Sequence, residues 1–419
     1  MNAPTMQDAD IPLPQHPPMT QFPSSHGELM LGGVRLSILA ARAGQTPFYA
    51  YSRSALRQRI IELRQTLPTK IKLHYAMKAN PMPALVGLMA HLVDGMDVAS
   101  AGEMKVALDA GMAPHDISFA GPGKRDTELR QAVAAGVLVN IESFREVDVL
   151  AQASQALGLP ARAAVRVNPD FELKSSGMKM GGGGKPFGVD VEQVPTLLAN
   201  MGRAGLQFEG FHIYPGSQSL SAPAIGEALE HAYALAVRLA AHAPGTVRLL
   251  NLGGGLGVPY FPGDKPLDLT RVADTLERLV QRAHADLPQA ALALELGRYL
   301  VAEAGIYVAR VIDRKQSRGQ VYLVVDGGLH HNLAATGNFG QVLRKNYPVA
   351  IGTRMDATPS QVTSVVGPSC TPLDVLADRM LLPEAQVGDL VVVFQSGAYG
   401  ASASPHLFLA HPACLELLV

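Results

Sequence analysis

Between about residue 54 and residue 295, short apolar runs alternate with longer amphipathic segments, and the alternation occurs eight times. The runs predicted as strands are Ile71–Tyr75, Gly95–Val98, Ile117–Ala120, Val137–Ile141, Ala163–Val167, Phe208–Ile213, Val247–Leu252 and Ala291–Glu295. Strands that alternate with helices form a parallel sheet, because a parallel neighbour requires a crossover. Eight such units in about 240 residues match the size of a closed (β/α)8 barrel. A doubly wound open sheet is the alternative, but its ligand groups would gather near one switch point.

The segments between these runs have the apolar spacing of helices. They are Ala84–Leu92, Gly102–Ala110, Thr127–Ala135, Ser143–Ala156, Val191–Met201, Ile225–Ala241 and Leu269–Ala285. After Gly305 the pattern changes to β-branched runs separated by turn residues, which indicates an all-β domain with longer loops. Its expected strands are Ile306–Ile312, Gln320–Val325, Gln361–Val366 and Leu390–Phe394, with further strands from Gly32–Leu39 and Pro47–Tyr51.

The predicted organisation is α/β, in four segments along the chain. Residues 1–27 hold six prolines and no lysine or arginine, which favours a disordered tail over a secretory signal. Residues 28–50 are expected to join the β domain, residues 51–305 to form the barrel, and residues 306–419 to form the C-terminal β domain. A chain of 419 residues exceeds one ordinary core, which agrees with two folded domains.

The composition argues against several kinds of function. Apolar residues make up 47% and charged residues 17% of the chain, as in a protein with a large buried interior. A net charge of -1 without a basic run offers no field for nucleic acid or anionic lipid, and no apolar segment is long enough to cross a membrane. The two cysteines, Cys370 and Cys414, do not form a disulfide framework, which favours a reducing cytoplasm.

Polar residues and glycines follow the predicted strands one after another. They are Lys78, Asp97, Gly121, Gly123, Glu142, Arg166, Asn168, His212, Gly253, Gly254, Gly255 and Glu295. In a (β/α)8 barrel the carboxyl ends of all eight strands meet at one mouth, which is where the active site lies. The sequence therefore predicts that these residues converge.

Lys78 ends the first predicted strand, and Asn80-Pro81 breaks the strand just after it. Taken alone, Lys78 is more simply a surface lysine at a strand end. At a barrel mouth, however, desolvation makes an amine a usable nucleophile, and a lysine there can hold an aldehyde cofactor as a Schiff base.

Two motifs near the last strands suit an anionic or heteroaromatic ligand. The run from Gly253 to Gly257 lets backbone N–H groups approach a phosphate, although a tight barrel turn explains these glycines equally well. Glu295 and Arg298 close the last strand, and as a surface ion pair they would contribute little. Glu295 can instead hold a protonated ring nitrogen, which leaves Arg298 for a phosphate or carboxylate.

Four further residues are candidates by position. His212 lies in an apolar strand, where a histidine is usually structural, but at a barrel mouth it could stack on a flat cofactor while Ser217 binds an anion. Cys370 lies in a loop bounded by glycine and proline, which makes a functional role as plausible as an inert buried thiol. Tyr399 offers a phenol at the tip of a second such loop. No His, Cys or Asp spacing resembles a metal site.

Together these motifs resemble the fold-type III pyridoxal-phosphate decarboxylases, the family of the ornithine, diaminopimelate and arginine decarboxylases. The resemblance covers nearly everything beyond the first 27 residues. It implies an alanine-racemase-like (β/α)8 barrel, a C-terminal β domain and pyridoxal 5'-phosphate as the cofactor. It also implies a head-to-tail homodimer with shared active sites.

The resemblance implies a role for individual residues. Lys78 would bind the cofactor aldehyde, His212 would stack on its ring, and Glu295 would hold the pyridine nitrogen. Cys370 would reach the partner subunit's active site and return a proton to the α-carbon. The residues implied to surround the phosphate are Gly253, Gly254, Gly255, Ser217, Arg298 and Tyr399, and those implied to support the lysine and the ring are Asp97, Glu103 and Arg166. The expected substrate-binding residues are Arg298, Cys370, Thr371 and Asp374.

The sequence departs from the family pattern where the substrate would bind. In the basic-amino-acid decarboxylases an acid follows the cysteine and receives the distal ammonium, but Thr371 occupies that place here. Without that carboxylate a free diamino acid is disfavoured. Tyr214-Pro215 and the run from Gly181 to Gly184 look more like the decarboxylases of exosortase A-associated clusters and those acting on carrier-bound aminoacyl groups. We expect a substrate without a distal cation, either a small amino acid or a group on an acyl carrier protein.

Two other functions are compatible with the same fold. An amino-acid racemase could use the barrel and Lys78, but it needs an acid–base residue on the second cofactor face, and the Cys370 loop favours decarboxylation. A catalytically inactive homologue that regulates partner proteins would be expected to lose cofactor ligands. Lys78, Glu295 and the glycine run are all present, which disfavours that alternative.

Overall fold

The computed structural model describes residues 16–175, 177–341 and 344–419. These residues divide into two compact units. The barrel unit comprises Ser54–Pro259 and Pro266–Ala302, and the sheet unit comprises the residues before Ser54 together with Tyr260–Lys265 and Glu303–Val419. The short segment Tyr260–Lys265 falls inside the range predicted as barrel, yet it belongs to the sheet unit, where the Tyr260 ring lies 4.6 Å from that of Tyr347.

Eight parallel strands form a closed ring among the described residues of the barrel unit. In chain order they are Ile71–Ala76, Gly95–Val98, Ile117–Phe119, Leu138–Ile141, Arg162–Asn168, Gln207–Ile213, Leu249–Asn251 and Ala291–Leu296. Each strand pairs with the next along the chain, and the eighth pairs with the first, which places Glu295 opposite His74. The predicted (β/α)8 barrel is confirmed.

Helices connect these strands. They are Arg53–Thr66, Pro83–Met89, Ala101–Asp109, Asp126–Ala135, Phe144–Leu157, Val194–Arg203, Ala222–Ala240, Leu269–Asp286 and Arg298–Val301, with 3-10 turns at Met77–Ala79, Pro114–Asp116 and Ala302–Ala304. Ser100, Ser221 and Asp268 each cap a helix by accepting a hydrogen bond from the backbone N–H three residues further on. Val189–Asp190 extends the ring beside the fifth strand, and Met178–Lys179 pairs with Gly216–Ser217.

The first barrel strand departs from a simple alternation pattern. The sequence groups His74 with Lys72 on one polar face of the strand. Lys72 is exposed, but His74, two residues further along the strand, is only 5% exposed and lies 3.5 Å from Asp97. His74 is therefore a buried polar residue, which the alternation alone does not reveal.

The described residues of the sheet unit form an eight-stranded, mostly antiparallel sheet. Its strands are Phe48–Tyr51, Gly305–Ser317, Gln320–Val325, Val349–Ile351, Gln361–Val366, Val375–Leu382, Leu390–Val393 and Leu415–Leu418. Phe48–Tyr51 pairs with both Gly305–Ser317 and Leu415–Leu418, so the expected strand near Pro47 does join the C-terminal sheet. Two 3-10 turns, Ala401–Ala403 and Phe408–Ala410, precede the last strand.

Part of the segment predicted as a disordered tail has defined structure. Residues 1–15 of that segment lie outside the described residues. Phe22 is buried, however, and Ser24–Ser25 pairs with Glu28–Leu31, which in turn pairs with Val34–Arg35. Residues 16–27 therefore belong to the sheet unit, because an apolar side chain within them enters its core.

The expected strand Gly32–Leu39 is wrong for most of its length. Only Val34–Arg35 is extended, and Leu36–Ala43 is a helix. Its residues Leu36, Leu39 and Ala40 recur at helical spacing and enter the apolar core of the sheet unit. Among the described residues, no helix combines the length and apolar character needed to span a membrane.

Candidate active site

The barrel places most of the predicted site residues at the carboxyl ends of its strands. Lys78 lies in the turn Met77–Ala79 directly after the first strand, and the others lie on or after later strands. These are Asp97 in the second strand, Arg166 in the fifth, His212 in the sixth, Gly253, Gly254 and Gly255 after the seventh, and Glu295 in the eighth.

Glu295 lies at the centre of a cluster with Lys78 and His212. Lys78 Nζ is 3.5 Å from Glu295 Oε1, and His212 Nε2 is 2.9 Å from Glu295 Oε2. Glu295 and His212 are buried, whereas the Lys78 side chain is 40% exposed. Burial opposes ionisation, but the positive charges of Lys78 and Arg166 and the nearby His212 ring hold the pKa of the Glu295 carboxyl well below its ordinary value. The mouth therefore holds a buried carboxylate beside an accessible amine.

Asp97 belongs to a chain of buried polar side chains that crosses the first four strands. Ser118 Oγ donates to Asp97 Oδ1, Asn140 Nδ2 donates to Ser118 Oγ at 3.1 Å, and His74 Nδ1 lies 3.5 Å from Asp97. Although burial lowers it, the Asp97 carboxylate raises the pKa of His74 above its ordinary value. Asp97 thus lies next to His74, which sequence reasoning did not include in the site.

Glu103 lies on the helix that follows the second strand. Its Oε2 atom accepts a hydrogen bond from the backbone N–H of Ala99 at 2.6 Å. Burial raises the pKa of Glu103, while that N–H and the positive charge of Lys78 act in the opposite direction. The charges of Glu103 and Lys78 therefore interact.

The glycine run forms a turn that has no room for side chains. Gly253 and Gly255 have positive φ angles of 71° and 88°, and Gly253 N–H donates to Asn251 Oδ1 at 2.9 Å. A Cβ atom on Gly254 would lie 2.2 Å from the backbone oxygen of Glu295. The glycines thus let this turn pack directly against the strand that carries Glu295.

Alanine at position 254 is expected to weaken cofactor binding at least about tenfold and to lower the melting temperature by several degrees. The added Cβ would displace the Glu295 backbone, because the two atoms would otherwise be 2.2 Å apart. Equilibrium titration of the apoprotein with pyridoxal phosphate and thermal unfolding would measure both effects. Gly245→Ala is the matched control, since a Cβ there meets no atom within 4 Å. Equal behaviour of the two variants would refute the packing argument.

Ser217 and Arg298 lie in short elements beside the strand ends. Ser217 belongs to the strand Gly216–Ser217, and Arg298 begins the helix Arg298–Val301 directly after the eighth strand. Tyr214, one of the two additional residues in the histidine loop, places its ring 5.5 Å from Lys78 Nζ. That contact adds an aromatic face to the surroundings of Lys78, which sequence reasoning did not anticipate.

This arrangement fits pyridoxal phosphate. An accessible amine can bind its aldehyde, an ionised carboxylate suits a protonated ring nitrogen, and a turn without side chains suits a phosphate. The buried carboxylate of Glu295, 3.5 Å from the Lys78 amine, is the most specific of these features. Within residues 16–175, 177–341 and 344–419, no group of three or more His, Cys, Asp or Glu side chains could hold a metal ion.

Four predicted site residues belong to the sheet unit: Cys370, Thr371, Asp374 and Tyr399. Cys370 is exposed and has a free thiol. Tyr399 has a positive φ of 54°, and its ring lies 5.9 Å from that of Phe339. Both residues therefore lie on loops, as the sequence predicts.

Asp374, which the resemblance implies to bind substrate, contacts the backbone of the sheet unit. The side chain is buried, at 2% exposure, and its two oxygens accept hydrogen bonds from the backbone N–H groups of Leu329 at 2.6 Å and Ser369 at 2.9 Å. A carboxylate committed in this way holds the Cys370 loop in shape. Sequence alone places Asp374 in the loop but does not show which way the carboxylate points.

Four histidines pack together beneath the Cys370 loop: His330, His331, His406 and His411. His330 is fully buried, and its Nδ1 atom lies 3.5 Å from Ser369 Oγ. Burial and the neighbouring histidines His331 and His411 lower the pKa of His330 from 6.5 to about 4. The cluster therefore favours the neutral form of His330 over the protonated form.

Stability is expected to fall as the pH drops from about 6.5 to about 4, because the unfolded chain then binds a proton that folded His330 excludes. Above pH 6.5 His330 is neutral in both the folded and the unfolded chain, so it causes no loss of stability there. His330→Asn, which keeps a polar group near the Nδ1 position, should flatten the dependence of the unfolding free energy on pH in that window. Urea unfolding at pH 7 and pH 4.5 would measure it, with the exposed His242→Asn as control. Identical slopes for wild type and His330→Asn would contradict the expectation.

The comparisons with known proteins agree with this geometry. Residues 53–302 match the family model described as the pyridoxal-binding domain of pyridoxal-dependent decarboxylases. The chain is 37% identical to the L-glutamyl-(BtrI acyl-carrier protein) decarboxylase of Niallia circulans, over 89% of each chain. It is 34% identical to diaminopimelate decarboxylase of Aquifex aeolicus, over 94% of this chain and 91% of that protein. The crystal structure of diaminopimelate decarboxylase from Helicobacter pylori with L-lysine superimposes with a TM-score of 0.80 at 29% identity, covering 91% of this chain and 94% of that one.

The barrel with its mouth lysine, and the sheet unit encoded in the same chain, define an enzyme that uses pyridoxal phosphate for amino-acid chemistry. The matching family model covers more than half of the chain, and these two relatives align with 89% and 94% of it. The chain belongs to the pyridoxal-dependent decarboxylases, with pyridoxal phosphate as its cofactor. The resemblance inferred from the motifs is thereby confirmed.

Proposed function

We propose that this decarboxylase acts on an aminoacyl group that has no distal cation and is carried by an acyl carrier protein. The observation that carries the proposal is the Cys370 loop. Thr371 stands where the basic-amino-acid decarboxylases have an acid, and Asp374, the one acid between residues 367 and 374, is buried and bonded to backbone N–H groups. This loop therefore offers no carboxylate to a distal ammonium, which is an expensive charge to leave unpaired.

The relatives support the same choice of substrate. The relative from Niallia circulans is named for a glutamyl group on an acyl carrier protein, and a glutamyl side chain has no distal cation. Diaminopimelate is the second candidate, because several diaminopimelate decarboxylases are 29–34% identical to this chain. That candidate requires an acid outside the Cys370 loop to receive the distal ammonium.

When bound, pyridoxal phosphate supplies the electron sink that lets carbon dioxide leave an amino acid. We assign Lys78 to the aldehyde, because its amine is accessible and lies beside Glu295. Glu295 would keep a proton on the ring nitrogen, since a carboxylate with a depressed pKa favours a neighbouring positive charge. His212 would pack on the ring face.

The remaining assignments of barrel residues rest on their position at the mouth, and those of Tyr399, Cys370 and Thr371 rest on the family resemblance. The residues proposed to bind the phosphate are Gly253, Gly254, Gly255, Ser217 and Arg298, with Tyr399 from the sheet unit. Asp97, Glu103 and Arg166 are proposed to support Lys78 and the ring, and Arg298 also to meet the substrate, together with Cys370 and Thr371. Backbone N–H groups at a glycine turn suit a phosphate because no side chain blocks their approach.

The substrate proposal is tested by comparing four substrates at equal concentration. Carbon dioxide release would be measured from a glutamyl carrier protein, diaminopimelate, lysine and ornithine. We expect kcat/KM for the glutamyl carrier protein to exceed that for each diamino acid at least about tenfold, as expected when a charged group lacks its partner. Preference for a free diamino acid by a similar factor would overturn the proposal.

We also propose a homodimer with shared active sites, in which Cys370 of one chain returns a proton to the substrate bound by the other. An exposed thiol on a loop suits such a role, and a free cysteine in that position is consistent with a reducing cytoplasm. Cys370→Ala is expected to lower kcat by about 10²-fold, the usual effect of removing a proton donor.

Subunit mixing tests the sharing directly. A Lys78→Ala chain and a Cys370→Ala chain would each be nearly inactive alone. If the sites are shared, mixed dimers contain one intact site, and an equal mixture should recover about a quarter of wild-type activity. Refolding the two variants together and measuring carbon dioxide release would show this. An inactive mixture that still contains mixed dimers would contradict the proposal.

A further inference from the structure

A group of buried charges lies behind the barrel mouth, and of its four members only Arg166 has a role in the assignments above. It consists of Lys124 and Glu146 together with Glu142, which follows the fourth strand, and Arg166 in the fifth. The side chains of Lys124, Glu142 and Glu146 are each 1% exposed, and that of Arg166 is 8% exposed. Burying several charges is costly unless they are closely paired, so the detailed pairing is informative.

Glu142 accepts three of the hydrogen bonds in this group. Its Oε1 atom accepts from Arg166 Nη1 at 2.9 Å and from the backbone N–H of Gly121 at 2.5 Å, and its Oε2 atom accepts from the backbone N–H of Gly188 at 2.9 Å. Gly121 follows the third strand, and Gly188 precedes the residues that pair with the fifth. One carboxylate therefore fixes the Arg166 guanidinium relative to two backbone segments of the mouth.

Lys124 holds this carboxylate from the other side. Lys124 Nζ donates to the Gly121 carbonyl oxygen at 2.5 Å and lies 3.1 Å from Glu146 Oε1 and 4.0 Å from Glu142 Oε1. Glu146 Oε2 in turn accepts from the Glu142 backbone N–H at 2.9 Å. Although burial acts against it, the charges of Arg166 and Lys124 lower the pKa of Glu142, so this acceptor is ionised at neutral pH.

Arg166 is held on a second side as well. Its guanidinium lies 5.2 Å from the centre of the Phe187 ring, and its charge helps to keep Glu295 ionised. We propose that Glu142, with Lys124 behind it, is a positioning residue that fixes Arg166 at the mouth so that Arg166 can act on the cofactor. This inference rests on the proposed assignment of Arg166 to the cofactor.

The test is a double-mutant cycle on the affinity of the full-length apoprotein for pyridoxal phosphate. Glu142→Gln and Arg166→Met are each expected to raise the dissociation constant at least about tenfold, as for other residues that orient a ligand-binding group. If Glu142 acts through Arg166, the double variant binds no more weakly than Arg166→Met alone. The inference would be overturned if the increases in the dissociation constant from the two substitutions multiply in the double variant. It would also be overturned if Glu142→Gln changes the dissociation constant less than twofold.

Lys124→Met gives an independent cycle with Arg166→Met and decides the question if Glu142→Gln does not fold. The same non-additivity is expected. Lys124→Met alone should raise the dissociation constant less than Glu142→Gln does, because Lys124 reaches Arg166 only through Glu142. Glu209→Gln is the matched control. Glu209 Oε1 lies 3.1 Å from Arg162 Nε, and Arg162 is at the start of the strand that also carries Arg166. Glu209→Gln should reduce the melting temperature while leaving the dissociation constant within twofold, and an equal loss of affinity would show a merely structural effect.

The outcome of the double-mutant cycle does not depend on the outcome of the substrate test. The cycle measures cofactor binding and needs no substrate, whereas the proposed function is judged by carbon dioxide release from the wild-type enzyme. An enzyme that decarboxylates the carrier-bound substrate but shows multiplying effects would refute only the positioning role. Non-additive binding in a protein that releases no carbon dioxide would refute only the proposed reaction.

Discussion

Replacing Lys78 by alanine is expected to abolish covalent retention of the cofactor and to lower decarboxylation by at least about 10³-fold. In the described part of the barrel, Lys78 Nζ lies 3.5 Å from the carboxylate of Glu295 and 5.5 Å from the Tyr214 ring centre. Its side chain is 40% exposed, so an incoming aldehyde can reach the amine. An alanine leaves the rest of the mouth in place but provides no nucleophile.

Borohydride reduction followed by peptide mapping would locate the covalent bond. We expect a cofactor-labelled peptide containing residue 78 in the wild type and no label in Lys78→Ala. Lys72→Ala is the control, because Lys72 is an exposed lysine on the strand that precedes Lys78 and should be dispensable for labelling. Label at any other lysine in the wild type would refute the assignment of Lys78.

The barrel was predictable because its strands are local features of the sequence. Each strand is an apolar run of several residues between helical patterns, and burial on both faces makes such runs nearly continuous. The order around the ring then follows from right-handed crossovers, which place consecutive strands side by side. Once the ring is closed, Lys78, His212 and Glu295 must share one end of it.

The pairings within the site were not predictable in the same way. Glu142 was visible as a polar residue after a strand, but its bonds to Arg166, Gly121 and Gly188 join distant parts of the chain. A sequence pattern gives the position of a carboxylate, and only the folded backbone gives its direction. Asp374 shows the same limit, because it turns inward to Leu329 and Ser369.

The sequence predicted a strand where the helix Leu36–Ala43 begins, and the reason for this error is different. The run from Gly32 to Leu39 contains β-branched and apolar residues, which suit a short strand as well as a helix. The tertiary environment decides between them, because Leu36, Leu39 and Ala40 together fill the core of the sheet unit only when the segment is helical.

Replacing Glu295 by glutamine is expected to separate cofactor binding from catalysis. Lys78 is retained, so the covalent bond should still form, but glutamine has no charge with which to keep a proton on the ring nitrogen. We expect kcat to fall by at least about 10²-fold, the range found when a preorganised charge is removed. Reductive labelling of residue 78 combined with carbon dioxide release would measure the two properties separately. Glu209→Gln, a second buried carboxylate of the barrel, should change neither.

The same substitution has a consequence for acid stability that does not involve the cofactor. The pKa of Glu295 is depressed in the fold, so its ionised form stabilises the apoprotein above about pH 4.5, and this contribution is lost as the pH falls below that value. Glu295→Gln should therefore lower the unfolding free energy at pH 7 and reduce its loss at acid pH. Because water reaches Lys78, the cost should stay below the about 3–5 kcal/mol typical of breaking a fully buried pair. Parallel acid-dependent unfolding curves for the two apoproteins would show that Glu295 is not held as a carboxylate by Lys78 and His212.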